Sequence, residues 1–405
     1  MSVRLAILGG SSPFSAALFD ALVAAAGDLP LLEVVLHGRD RRALALLTRH
    51  GRARLGALGW RVRQTTTLAR ALAGASVVVH QVRYGGLEGR AADEALSRAC
   101  GLPPDETLGP GALRAALCML PGLDATSAAL IQHCPDAWVL NLTNPLSLAT
   151  ARMAARGVRR CLGICELPRV TVAQAAERLG VEPREVTWAY GGLNHRGFVV
   201  SMRHGARDLL AELPAALADA ALAGIDGDTV RRLGALPTKY FPLLAGRPVN
   251  QARGRAALLA GLRARILDEI AADPRRSPPA LRERYLAWYP EAVVPLLVAL
   301  LGHRPALLEV NVAGPDGLVR EGRALVGPEG VGALEEPPAS AAVRAWIERF
   351  EAHERCAMGA LAAPSFEAVR RVLAADPLVG AAGAEACARL VWNGMMDPNK
   401  GEMPC

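Results

Sequence analysis

The sequence predicts an α/β fold built on a doubly wound parallel sheet, on three observations. Short apolar runs recur through the first 165 residues, segments with helical periodicity separate them, and the first run closes on two glycines. Residues Val3–Leu8 (VRLAIL) are apolar apart from Arg4 and lead through Gly9, Gly10, Ser11 and Ser12 into an apolar-periodic stretch at 14–26. That order reads as strand, tight turn and helix. A second strand is expected at Leu32–His37, ending in Gly38, Arg39 and Asp40, and a third at 75–82 around VVVHQV. A long helix at 111–133 then precedes a strand at 137–141 (AWVLN), and another strand at 160–164 ends at Cys165. A short strand from 187 to 191 leads to His195. Beyond about residue 200 the pattern turns mostly helical, with segments at 209–223, 254–272, 292–301, 341–361 and 366–374. The reading is a Rossmann-like doubly wound sheet over 1–165 followed by a mostly helical α+β domain over 166–405.

At 405 residues and 51% hydrophobic content, the chain can bury a large core. Its net charge of +7 is spread along the sequence, which suits a solvated surface and anionic small molecules; no nucleic-acid or membrane partner is expected. No run of about eighteen uncharged apolar residues occurs. The eight cysteines form no C-x-x-C pair, so they read as reduced thiols of a cytoplasmic protein.

The turn LGGSSPFS departs from G-x-G-x-x-G, yet glycine backbone and serine hydroxyls at a helix N-terminus can hold a pyrophosphate. Gly9, Gly10, Ser11, Ser12, Arg39 and Asn141 are the candidate cofactor residues. The second strand normally ends in an acid for the adenosine ribose; here Gly38 stands there, followed by Arg39. That leaves three readings open: NAD, NADP with Arg39 on the ribose phosphate, or weak cofactor retention. Cys165 and His195 offer a thiolate and an imidazole, half a shell for a divalent transition metal, or else two packed side chains.

Seven segments, in order over almost the whole chain, resemble the family 4 glycoside hydrolases, the NAD- and metal-dependent 6-phospho-glucosidases and their relatives. They are QVRYGGLEGRAADE (81–94), ETLGPGALRAAL (106–117), NLTNP (141–145), GICELP (163–168), GLNHRGF (192–198), LGALPTKYF (233–241) and ADPLV (375–379). The resemblance implies Cys165 and His195 as ligands of Mn²⁺ or a similar ion, Tyr240 as catalytic base, Glu106 as the acid that makes it more basic, and Glu166 as proton donor. It also implies Arg90, Asn144 and Arg255 as substrate-holding residues.

The implied chemistry is redox-assisted, an exception to the usual pair of carboxylates. Hydride leaves C3 of the sugar for NAD⁺, the C2 proton becomes acidic, the aglycone is eliminated, water adds, and the hydride returns to C3. The default substrate is a 6-phospho-glucoside, and the family habit is a homodimer or homotetramer. An unphosphorylated glycoside, a plain NAD(P)-dependent oxidoreductase or epimerase, and a catalytically silent binding protein remain alternatives. The nucleotide turn is one glycine short of the family run, the ribose acid is missing, and residues 309–334 lack the family's L-P-D-G and E-V-P elements.

Overall fold

The computed structural model describes residues 2–105, 107–246, 254–302 and 304–395. In the first half, β1 (Val3–Leu8), β2 (Leu32–His37), β3 (Arg61–Thr65), β4 (Val77–His80), β5 (Trp138–Asn141) and β6 (Cys161–Gly163) lie in the order β3-β2-β1-β4-β5-β6. Every pairing among them is parallel. The order reverses between β1 and β4, where such a sheet opens a crevice at the carboxyl ends of its strands.

The second half supplies β7 (Thr187–Leu193), β8 (Arg196–His204), β9 (Arg207–Asp208), β10 (Leu236–Pro237), β11 (Ala306–Ala313), β12 (Val319–Gly327) and β13 (Gly330–Val331). These extend the same sheet: β11 pairs antiparallel with β6 through Asn311 and Gly163, and β12, β7, β8 and β10 follow outward. The sheet therefore continues across residue 165, joining the halves through main-chain hydrogen bonds.

Strand β1 is an unbroken apolar run because both its faces are covered. Leu5, Ala6, Ile7 and Leu8 are buried, with Leu5 registered against Val34 and Val77. One face packs on helices Ser15–Ala24, Arg41–Leu55, Ala256–Ala272 and Val294–Leu301 through Phe19, Leu47, Ile266 and Leu297. The other packs on Gly109–His133, Leu146–Ala155, Ala341–Ala362 and Phe366–Ala375 through Leu120, Met153, Ala360 and Val369. Helix Gly109–His133 is long and apolar enough to cross a membrane by length and composition. Here it is a core helix: Leu117 and Leu123 are buried, while Arg114 pairs with Asp93 at 2.6 Å and Asp124 with Arg152 at 2.7 Å.

Some expectations change. Strand β3 (RVRQT) escaped notice because it is an edge strand on which only Val62 turns fully inward. Strand β8 and helices Gly86–Ala99, Leu167–Arg178 and Gly380–Asn393 are also absent from the sequence expectations, whereas β11 and β12 overlap the region 309–334, which resembles a family strand region. The helix expected at 209–223 stops at Ala216. Cysteines 100, 134, 161, 165, 356 and 387 are free thiols.

Candidate active site

The turn after β1 stands at the sheet's crevice. Gly9 adopts φ +85°, and a Cβ there would fall 2.5 Å from the Gln81 carbonyl oxygen. The Gly10 N–H donates to the His37 carbonyl at 2.7 Å, so the turn is tied to the end of β2. Ser11 and Ser12 follow, partly exposed, just before helix Ser15–Ala24. Glycine backbone, two hydroxyls and a helix N-terminus suit a pyrophosphate. Asn141 does not join them. It is buried, its Oδ1 meets His80 Nδ1 at 2.8 Å and the Thr143 N–H at 3.0 Å, and its Nδ2 donates to Leu146 O and Thr150 Oγ1. Its side chain is committed to holding the loop after β5.

Cys165 lies just past β6, buried, its thiol hydrogen-bonded by the Asn194 side chain and the Leu167 backbone. Burial and then the charges of Glu321 and Glu166 push that thiol well up. His195 occupies the tight turn between β7 and β8 with φ 63°, a left-handed conformation uncommon for any residue but glycine. Thr238 Oγ1 donates to its carbonyl at 2.9 Å, anchoring the turn to the segment that carries Tyr240. Burial, then the Lys239 and Arg196 cations, hold the imidazole neutral by lowering its pKa to about 3. Its ring stacks on Tyr240 at 4.7 Å between centroids.

These residues fit a divalent metal in one specific way. No cluster of three or more His, Cys, Asp or Glu that could hold a metal occurs among the described residues; Cys165 and His195 would supply a thiol and a neutral imidazole, half a shell that substrate oxygens would complete.

Burial and then the Asp105 charge raise the Tyr240 phenol above its ordinary pKa; a hydrogen bond with Thr107 and the Arg255 charge oppose them. Thr107 Oγ1 in turn donates to Asp105 Oδ1 at 2.6 Å. Glu106, expected to assist Tyr240, lies outside the described residues; Asp105 and Thr107 beside it were missed. Burial raises the Glu166 carboxyl, against the pull of Lys239 and Arg284. Arg284 lies between Phe14, at 4.1 Å, and Trp288, at 5.0 Å, which ties the nucleotide turn to the surroundings of Glu166.

The expected substrate residues divide. Asn144 keeps Oδ1 buried with no hydrogen-bond partner among the described residues. Arg255 is exposed and its charge reaches Tyr240. Arg90 is buried, and its Nε donates to Glu94 at 2.7 Å. Glu94 also accepts the N–H groups of Arg255 at 2.9 Å and Ala256 at 3.3 Å, capping helix Ala256–Ala272. Burial raises the Glu94 carboxyl, but these partners outweigh it and hold the pKa low.

Beneath Cys165, Glu321 accepts from Tyr190 Oη at 2.6 Å, Asn194 Nδ2 at 3.1 Å and Asn311 Nδ2 at 2.8 Å. Sequence reasoning missed it because a single Glu in a strand gives no sign of burial. A second buried group, Arg196 with Glu354 at 2.6 Å and His353 at 2.9 Å, borders a cavity of about 30 Å³ next to Asn194. The larger groove of about 470 Å³, bordered by Asp20, Ser277 and Arg282, includes none of the candidate residues.

Residues 4–181 match the family 4 glycosyl hydrolase model and residues 190–379 the family 4 glycosyl hydrolase C-terminal domain. A probable 6-phospho-beta-glucosidase of Bacillus subtilis strain 168 is 23% identical, over 99% of this chain and 97% of its own. An alpha-galacturonidase of the same organism is 27% identical, over 37% of this chain and 36% of its own. The structure of the Thermotoga maritima 6-phospho-beta glucosidase with manganese, NAD⁺ and glucose-6-phosphate superposes with a TM-score of 0.85 at 21% identity, over 97% of this chain and 98% of its own. Malate dehydrogenase of Plasmodium falciparum shares the fold at a TM-score of 0.57 and 10% identity, over 89% and 98% of the two chains. The two family matches span nearly the whole chain and cover both the nucleotide turn and the Cys165–His195–Tyr240 cluster: the chain belongs to the family 4 glycosyl hydrolases.

Proposed function

We propose that this chain is a redox-assisted glycosidase, dependent on NAD or NADP and a divalent metal such as Mn²⁺, acting on a 6-phospho-glucoside. The observation that carries this reading is the gathering of Cys165, neutral His195 and Tyr240 at one place, with His195 stacked on Tyr240. Gly9, Gly10, Ser11 and Ser12 hold the dinucleotide in the half spanning 1–165; Cys165 and His195 hold the metal at the start of the half spanning 166–405. When bound, the dinucleotide would supply hydride acceptance and return at C3, and the ion would supply Lewis-acid polarisation of the sugar oxygen there.

The chain's own groups do the rest. Tyr240 removes the C2 proton; the Thr107–Asp105 pair orients its hydroxyl, with Glu106 next to them in sequence. Glu166, its carboxyl biased toward the protonated form, gives its proton to the leaving oxygen. Asn144 offers its unpaired Oδ1 to a sugar hydroxyl. Arg90, through Glu94, fixes the helix start that carries Arg255. Lys239, Arg255 and Arg284 make the surroundings cationic, which supports a phosphorylated over a neutral sugar. Small-molecule chemistry of this kind suits a cytoplasmic homo-oligomer, dimer or tetramer.

Incubation with α- and β-linked aryl 6-phosphoglucosides and their unphosphorylated counterparts tests the reading. Aglycone release without net accumulation of reduced dinucleotide is expected. Stoichiometric reduced dinucleotide without aglycone release would instead establish the oxidoreductase alternative.

A further inference from the structure

We infer that the dinucleotide site of this chain is built for a ribose 2′-phosphate, so that NADP is preferred to NAD, with Arg39 as the residue that reads the phosphate. This rests on the dinucleotide reading above and deepens it.

In a doubly wound sheet the adenosine ribose meets the end of β2, where an acid accepts hydrogen bonds from both ribose hydroxyls. No such acid is available here. Gly38 follows β2 directly, and a Cβ on it would sit 2.5 Å from Ser11 Oγ and 2.9 Å from Ser11 N. The nucleotide turn is packed too closely against Gly38 for an aspartate to stand there. The nearest carboxylate, Asp40, is fully engaged: Oδ1 accepts the Ala43 N–H at 3.0 Å and Oδ2 accepts Arg263 Nη2 at 2.7 Å. Both its oxygens already accept a hydrogen bond, one as a helix cap and one from a guanidinium.

The same strand end is strongly cationic. Arg39, Arg41 and Arg42 are exposed and make no hydrogen bond or ion pair among the described residues. Arg41 and Arg42 occupy the first turn of helix Arg41–Leu55, which contains no acid. A helix N-terminus carries positive potential, so guanidinium groups clustered there, with only the capping Asp40 carboxylate among them, favour a further anion. His37, the last residue of β2, keeps Nδ1 buried without a partner. Loss of the acid, commitment of the neighbouring carboxylate, and unpaired guanidinium groups all favour a phosphate over a pair of hydroxyls. An Arg fork binds a phosphate in bidentate fashion.

Isothermal titration calorimetry of the full chain with NAD⁺ and NADP⁺ tests this without reference to turnover. NADP⁺ is expected to bind at least about tenfold more tightly, with the difference shrinking as salt is raised. Arg39→Ala should erase the preference by weakening NADP⁺, and Arg39→Lys should lose only part of it. Because Arg39 is exposed, the melting temperature of the dinucleotide-free variant should match that of the parent, which separates a binding effect from a folding one. Equal or tighter NAD⁺ binding would overturn the inference and leave the glycosidase reading standing. Binding of neither dinucleotide would overturn both.

Discussion

The imidazole of His195 lies against the phenol of Tyr240, centroids 4.7 Å apart and planes 27° from parallel. Two rings so placed share one electrostatic environment. Positive charge brought to the imidazole would favour the phenolate, whereas burial and then the Asp105 charge hold the phenol protonated.

Tyr240→Phe keeps the stacked ring and removes the hydroxyl. Turnover should fall by about 10² to 10⁴-fold, and exchange of the sugar C2 proton with solvent deuterium should fall in parallel. Dinucleotide and Mn²⁺ affinities should be close to those of the parent. Exchange at the parental rate would remove Tyr240 from the mechanism.

Cys165→Ala should abolish measurable Mn²⁺ binding in calorimetry, because among the described residues no third His, Cys, Asp or Glu stands by to replace it. Cys165→Ser, with a harder but weaker ligand, should bind at least about tenfold less tightly than the parent. Metal binding that survives both changes would show that the ion sits elsewhere.

Glu321 satisfies three buried donors at once, on Tyr190, Asn194 and Asn311. Glu321→Ala should cost about 3 kcal/mol of stability in denaturant titration, since each donor left dry is expensive. It should also weaken Mn²⁺ binding by freeing Asn194 from its hold beside Cys165. A stable variant with parental metal affinity would mean that this group neither supports the core nor positions the thiol.

His80 is buried, and burial lowers its pKa to about 4 despite the hydrogen bond with Asn141. The folded value lies below the unfolded one, near 6.5, so above that pH neither state is charged and the histidine is neutral to stability. As pH falls from 6.5 towards 4, the unfolded chain takes up a proton that the fold refuses. Stability should drop by about 3 kcal/mol from this residue alone across that window. Guanidinium titrations at pH 7 and pH 4.5 on the parent and on His80→Gln isolate its share by difference. Identical pH dependence in the two proteins would show that the imidazole takes up its proton as readily in the fold as in the unfolded chain.

Residues whose surroundings come from their own strand and turn were legible in the sequence. The apolar runs of β1, β2 and β4 announced a sheet covered on both faces, and Gly9 and Gly10 announced the turn at its crevice. The order of seven motifs along the chain announced Cys165, His195 and Tyr240. Tertiary structure decided what depends on elements distant in sequence. Arg90 and Glu94 stand one helical turn apart, a spacing visible in any reading, but the N-terminus of helix Ala256–Ala272 meeting Glu94 is what makes that carboxylate a helix cap. Asn141 looked free at a strand end until His80 and Thr150 claimed its side chain. Glu321 acquired its place beneath Cys165 because β11 and β12 join β6, a pairing between segments more than 140 residues apart. The sequence by itself determined which chemical groups the chain possesses and the local geometry that presents them. Which of those groups stay free to meet a ligand was decided by packing, because a buried polar atom takes whatever partner the fold brings within reach.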